Sequence, residues 1–185
     1  MRWLSLLAGL LLFQAPLHAQ TTSSTDNAEM AALFDADQEV RQHDWSKADV
    51  SAISKADTER RAATKALLDA GKLNTGTDFW HAAFVFQHGN DPSDYLLAHT
   101  LAIAAVARGR ADASWIAAAT LDRYLQSIGQ KQIYGTQFQW SNDQPVTQEP
   151  YDRTLISDAL RTALGVPTQA EQDKRREKLQ AERGK

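Results

Sequence analysis

The chain reads as a mainly α protein, a compact bundle of about six helices with a small extended or hairpin segment near residues 132–148. Three observations predict this. Apolar residues recur at helical spacing through most of the chain. Glycines stand just past successive periodic runs, at Gly71, Gly109, Gly129 and Gly165. The stretch rich in aromatic and β-branched residues, Ile133 to Trp140, is short and comes late.

The first residues stand apart from the domain. Arg2 supplies a positive start, Trp3 to Phe13 form an apolar run, and Pro16 ends it before Leu17-His18-Ala19. That is the pattern of a cleavable signal peptide over residues 1–19. A membrane span needs roughly 20 apolar residues, so no stable membrane insertion is expected after cleavage, and the mature chain is expected to be exported, to a periplasm or beyond. A lipoprotein is excluded because the chain has no cysteine. Residues 20–27, rich in Ser and Thr, read as a flexible lead.

Removal of 19 residues from 185 leaves 166, which suits one domain, here 28–167, followed by a charged tail, 168–185. The formal charge of −3 becomes −4 without Arg2. With no basic stripe, nucleic acid is not expected as a partner. The absence of cysteine also excludes disulfides, thiol nucleophiles and thiolate metal sites.

Within the domain, Met30, Leu33, Phe34 and Val40 predict a first helix over 28–43. A second is expected from Asp49 to Ala70, with Val50, Ile53, Leu67 and Leu68 inward and the charged middle, Lys55 to Arg61, solvated. Phe79 to His88 is apolar enough for a buried helix closed by Gly89. Asn90-Asp91-Pro92 then offers a cap with proline at the first helical position, leading into an alanine-rich helix through Arg108. Asp112 is expected to cap Ala113 to Ile128. After the extended segment, Asp152 is expected to cap a last core helix ending at Leu164. The tail lacks an apolar stripe and reads as a solvated helix or a disordered run that packs weakly and carries no site. No period is sustained over three units, so a solenoid is disfavoured.

A glycine-rich phosphate loop, a Gly-x-Ser-x-Gly elbow, Ser-x-x-Lys and His-Glu-x-x-His are all missing. Of the histidines beyond the leader, His43, His81, His88 and His99, the pair at 81 and 88 would lie about 10 Å apart along a helix, too far to share an ion. No metal site and no cofactor are expected.

Polar residues appear where apolar ones are due: Gln87-His88 at the end of the most apolar helix, Asp122-Arg123 inside a helix of Ala, Ile and Leu, and Gln132 with Tyr134-Gly135-Thr136-Gln137 after it. Such groups must find partners. Neighbours at i and i+1 face different ways, so Asp122 and Arg123 must each reach another element.

The order Asp37-Gln38 with Arg41, Gln87-His88, Asp122-Arg123, Gln132-x-Tyr134-Gly135-Thr136-Gln137 and Pro145 resembles a mainly bacterial family known as domain of unknown function sixty-six twenty-four. The resemblance covers roughly Ala28 to Pro167, and its most specific part is the Tyr-Gly-Thr-Gln element with the preceding Asp-Arg. The stretch between Arg41 and Phe79 departs from it. The resemblance implies a shared polar centre and nothing about substrate.

Three readings of that centre stand side by side. In the first, Gln87, His88, Asp122, Arg123 and Gln137 form a buried structural network. In the second, a hydrolase-like enzyme uses His88 as general base oriented by Asp122, while Gln87, Arg123, Gln132, Tyr134 and Gln137 bind ligand. In the third, the domain is a binding module with Trp140 and Tyr151 as exposed anchors. The partner itself is not indicated by any of these residues.

Overall fold

The computed structural model describes residues 25–42, 49–141 and 144–183. The expected leader and most of the lead lie outside the described residues, as does His43. Among the described residues seven helices and one hairpin follow in order: α1 (Ala28–Glu39), α2 (Val50–Asp69), α3 (Gly76–Phe86), α4 (Pro92–Ala107), α5 (Ala113–Ser127), β1 (Gln139–Ser141), β2 (Gln144–Thr147), α6 (Asp158–Ala163) and α7 (Gln169–Arg183). The mainly α architecture with a small antiparallel hairpin therefore agrees with the pattern read from the sequence. No described helix is long and apolar enough to cross a membrane.

Local chemistry explains most boundaries. Asn27 caps α1, accepting the Met30 N–H, while its own N–H donates to the buried Asp78 carboxylate. Helix α3 starts three residues earlier than the apolar run suggests, because Thr75 and Asp78 form a reciprocal capping box. Burial alone would raise the Asp78 carboxyl, but N–H donors from Asn74, Asn27 and Thr75 outweigh it and hold it below the usual range. Asp91 and Pro92 open α4 as expected, with the Asp91 side chain accepting from Ser93 and Asp94.

Two expected caps fail. Asp112 sits at the right position but makes no side-chain cap and pairs instead with Arg110 at 3.0 Å. Asp152 turns back on Thr154 and Leu155, and Ser157 caps α6 in its place. A short polar side chain satisfies whichever donor lies nearest: at Asp112 that is the Arg110 guanidinium, and at Asp152 the N–H groups of the turn that follows it.

The core is the meeting of α3, α4 and α5, with α4 packed on both of its neighbours and α1 and α2 laid against α3. Ala82, Ala83, Ala98, Ala102, Ala105, Ala118 and Ala119 are buried along these contacts, and small side chains let helix axes approach closely, so the larger Met30, Phe86, Leu101 and Ile116 fill the remaining gaps. On α2 the expected inner stripe is only partly right. Leu67 is buried, but Val50 is 66% exposed. The middle expected to be solvated is so at Lys55 and Glu59, but Asp57, Arg60 and Arg61 are largely buried against Asp37 of α1, Arg41 just beyond it and the start of α4.

The tail is also more than a solvated run. Helix α7 packs on β2. The Gln180 side chain accepts the Val146 N–H, and Arg183 donates to the carbonyls of Ser141 and Gln144. An apolar stripe is absent, but amides and guanidinium groups dock on the hairpin's backbone instead.

Candidate functional site

Two polar centres occupy the places where polar residues interrupt the apolar pattern. The first is built on Asp122, fully buried on α5. One carboxylate oxygen accepts the N–H groups of Ile133 and Tyr134 at 2.8 and 2.9 Å; the other accepts the N–H and hydroxyl of Thr136 at 2.9 and 2.8 Å. Four donors converge on one anion, which pins the segment after Gly129 onto α5. Such charge-assisted bonds are about twice as strong as neutral ones.

Glutamines extend this clamp. Gln132 accepts the Gln137 N–H and donates to the carbonyls of Gln137 and Gln148. Gln148 donates to the Gly135 carbonyl, and Gln172 of α7 donates to those of Tyr134 and Pro167. Gly135 has a φ of +78°, and a Cβ there would collide with the Gln172 side chain and the Tyr151 hydroxyl. Only glycine fits both constraints. Arg161, wholly buried on α6, donates to the Tyr151 hydroxyl at 2.6 Å and to the Ile133 and Ile156 carbonyls. Tyr151 is therefore a buried strut and not an exposed anchor, whereas Trp140 is 55% exposed.

The second centre lies where α1, α2 and the end of α3 meet. His88 Nδ1 is 3.1 and 3.2 Å from the two oxygens of Asp37, which is fully buried on α1. Arg41 contacts Asp37 at 3.1 Å and Asp57 at 3.0 Å, and Arg60 reaches Asp37 at 3.7 Å. Arg61 donates to the His88 carbonyl at 2.9 Å and approaches Asp94 at 3.4 Å. From α5, Arg123 donates to the Gln87 carbonyl at 2.7 Å and to Gln137 Oε1 at 3.2 Å.

The charges in this centre do not balance. Among the described residues, Asp37, Asp57 and Asp94 stand against Arg41, Arg60, Arg61 and Arg123. Arg123 is largely buried and bonds only to neutral acceptors. Burial lowers its pKa, and the charge of Arg41 pushes in the same direction. Burial also lowers the pKa of His88; Asp37 opposes this, but Arg41 and Arg123 reinforce it, and the net shift is downward. At Asp57 the bonds from Arg60 and Arg41 overcome burial and hold the carboxyl low.

The residues expected to share one centre are thus divided. Gln87, Arg123 and Gln137 do meet, and Arg123 stands close enough to His88 to act on its charge. Asp122 does not orient His88: both of its oxygens are taken by residues 133–136, and Asp37 fills the orienting role. The polar atoms of Gln132 and Gln137 are engaged within the protein, as is the Tyr134 backbone, so these residues position the segment.

Sequence reasoning had no signal for Arg161, Gln148 or Gln172, since each lies in a polar or mixed stretch. Asp37 and Arg41 were visible through the resemblance alone. Among the described residues, no group of three or more His, Asp or Glu side chains could hold a metal ion. The chain matches no protein-family model, no curated protein and no solved structure.

Proposed function

We propose that the Asp37–His88 end of the domain is an acid–base site and that the chain is a hydrolase-like enzyme for an anionic substrate. The observation that carries this is a base-competent imidazole beside a buried guanidinium, that of Arg123, with no carboxylate partner among the described residues. Asp37, accepting from Nδ1–H, leaves the lone pair on Nε2. Among the described residues Nε2 has no hydrogen-bond partner, and the side chain keeps 19% of its exposure. A histidine with a lowered pKa is neutral at pH 7, as a general base must be.

In this reading Nε2 takes a proton from a water molecule, whose oxygen attacks the substrate carbonyl, and then returns it to the leaving group. Arg123 has five N–H groups, and three make the bonds described above. The other two, together with the charge of Arg41, suit the substrate's anionic group. Gln137 holds the Arg123 guanidinium in place.

A test is turnover of mono-p-nitrophenyl succinate. His88→Gln and Asp37→Asn should each lower kcat by roughly 10²-fold or more, the usual worth of a positioned base, while Arg123→Gln should act mainly on KM. Unchanged turnover in His88→Gln would remove the enzyme reading. The competing reading, a purely structural network, is favoured by the complete burial of Asp37 and by the ties Arg41 and Arg61 make to backbone carbonyls.

We propose also that the protein works outside the cytoplasm, on the strength of the leader pattern in residues 1–19. Intact mass of secreted material should correspond to a chain beginning at or near Gln20; material retaining Met1 to Ala19 would sink this.

A further inference from the structure

Beside the Asp122 clamp and away from the Asp37–His88 centre, a cavity of about 520 Å³ lies between the start of α5, the Thr136–Phe138 segment and the α6–α7 corner. That is within the span of small-ligand sites, about 300–1,000 Å³. None of Asp37, Arg41, His88 and Arg123 lines it. Its apolar walls are Trp115, 40% exposed on α5, with Phe138, Val166 and Pro167.

Two ionised side chains reach this cavity, Arg175 and Glu171. The Arg175 guanidinium lies 5.6 Å from the centre of the Phe138 ring. Arg153 and Arg176 pair with Asp173, and Lys178 with Glu182, but Arg175 has no carboxylate partner among the described residues. Glu171, which also reaches the cavity, is tied to Thr168, another of its lining residues. Its carboxylate accepts the Thr168 hydroxyl and N–H, both at 2.7 Å, and these bonds, with the charge of Lys174, hold its pKa low.

The cavity is also preformed. Thr136 on its floor is held at two atoms by the Asp122 carboxylate, and Gln172 is tied to the Tyr134 and Pro167 carbonyls. Walls fixed by their own partners do not have to be ordered when a ligand arrives.

We propose that this cavity binds a small amphipathic anion: an aromatic or branched aliphatic body between Trp115 and Phe138, with a carboxylate or sulfonate at Arg175. The apolar walls supply burial, and a guanidinium offers the planar fork that matches such an anion. The site asks nothing of His88 and stands whether or not that end is catalytic.

The probe is 8-anilinonaphthalene-1-sulfonate, titrated by fluorescence into the whole protein, with neutral N-phenyl-1-naphthylamine beside it. The sulfonate should bind saturably at one site, about tenfold tighter than the neutral compound. Arg175→Gln should remove roughly that tenfold advantage, the scale of one charge-assisted contact, and leave the neutral compound unchanged. Thr162→Trp, an exposed change at the cavity's edge, should abolish binding of both. Both variants should melt near the wild-type temperature. An unsaturable signal, equal affinity for the two compounds, or sulfonate affinity unchanged in both variants would overturn the assignment.

Discussion

His88 and Asp37, 51 positions apart, face each other with the imidazole Nδ1 3.1 and 3.2 Å from the two carboxylate oxygens. The contact ties the end of α3 to α1, and Arg41 and Arg60 close over the same carboxylate. Removing the imidazole leaves a buried anion that still has two guanidinium partners. His88→Ala should therefore cost little stability, about 1 kcal/mol or less, whereas Asp37→Ala strands Arg41 and Arg60 and should cost roughly 3 kcal/mol or more. Urea denaturation of both variants checks this; equal losses would mean that His88 is a structural strut.

At Asp122 a subtler change suffices. Asp122→Asn keeps the shape but turns one acceptor into a donor, which must then face N–H groups of the 133–136 segment. Each orphaned donor costs about 1–3 kcal/mol, so a loss of at least about 2 kcal/mol is expected by the same measurement, with the exchange of the Thr136 amide hydrogen accelerated. Retention of full stability would show that the clamp is not needed to hold the segment.

Acidification from neutral pH should destabilise the fold through its buried histidines. His88 and His81 both have folded pKa values below the ordinary 6.5, in each case chiefly through burial; at His81 the charge of Arg110 adds to it. A histidine whose folded pKa is depressed binds its proton more readily in the unfolded chain. Their contribution is therefore complete above about pH 7 and is lost as pH falls through 6.5 and below. The melting temperature should fall from pH 7 to pH 5, and His81→Phe should flatten the slope, because His81 stacks on Phe34 at 4.2 Å and its Nδ1 is buried without a partner among the described residues. A melting temperature independent of pH across that window would contradict this.

Deleting residues 168–185 should do far more than trim a surface. Gln172 is 2% exposed and joins Tyr134, Pro167 and Tyr151, while Arg183 and Gln180 hold the hairpin. Gln172→Ala should cost roughly 1–3 kcal/mol, and the full deletion should lower the melting temperature by about 10 °C or more, since 1 kcal/mol is worth about 2–4 °C in a domain of this size. Calorimetry decides; a shift of only a degree or two would return the tail to the weakly packed role that its composition suggests.

Periodicity, caps and turn residues by themselves determined the mainly α class, the opening of α4 at Asp91-Pro92, the place of the hairpin, and the need for Asp122 and Arg123 each to reach beyond their own helix. These are local properties, settled by spacing within a turn or two of the chain. Tertiary structure alone decided that Asp37 faces His88 while Asp122 turns to residues 133–136, because spacing along one helix does not say which faces of two helices meet. The same holds for Asp57, Arg60 and Arg61, which composition assigns to solvent, and for Arg161 and Gln172, whose polar character argues against burial. A polar side chain is buried only where partners from several elements converge on it, and that convergence exists only once the bundle has packed.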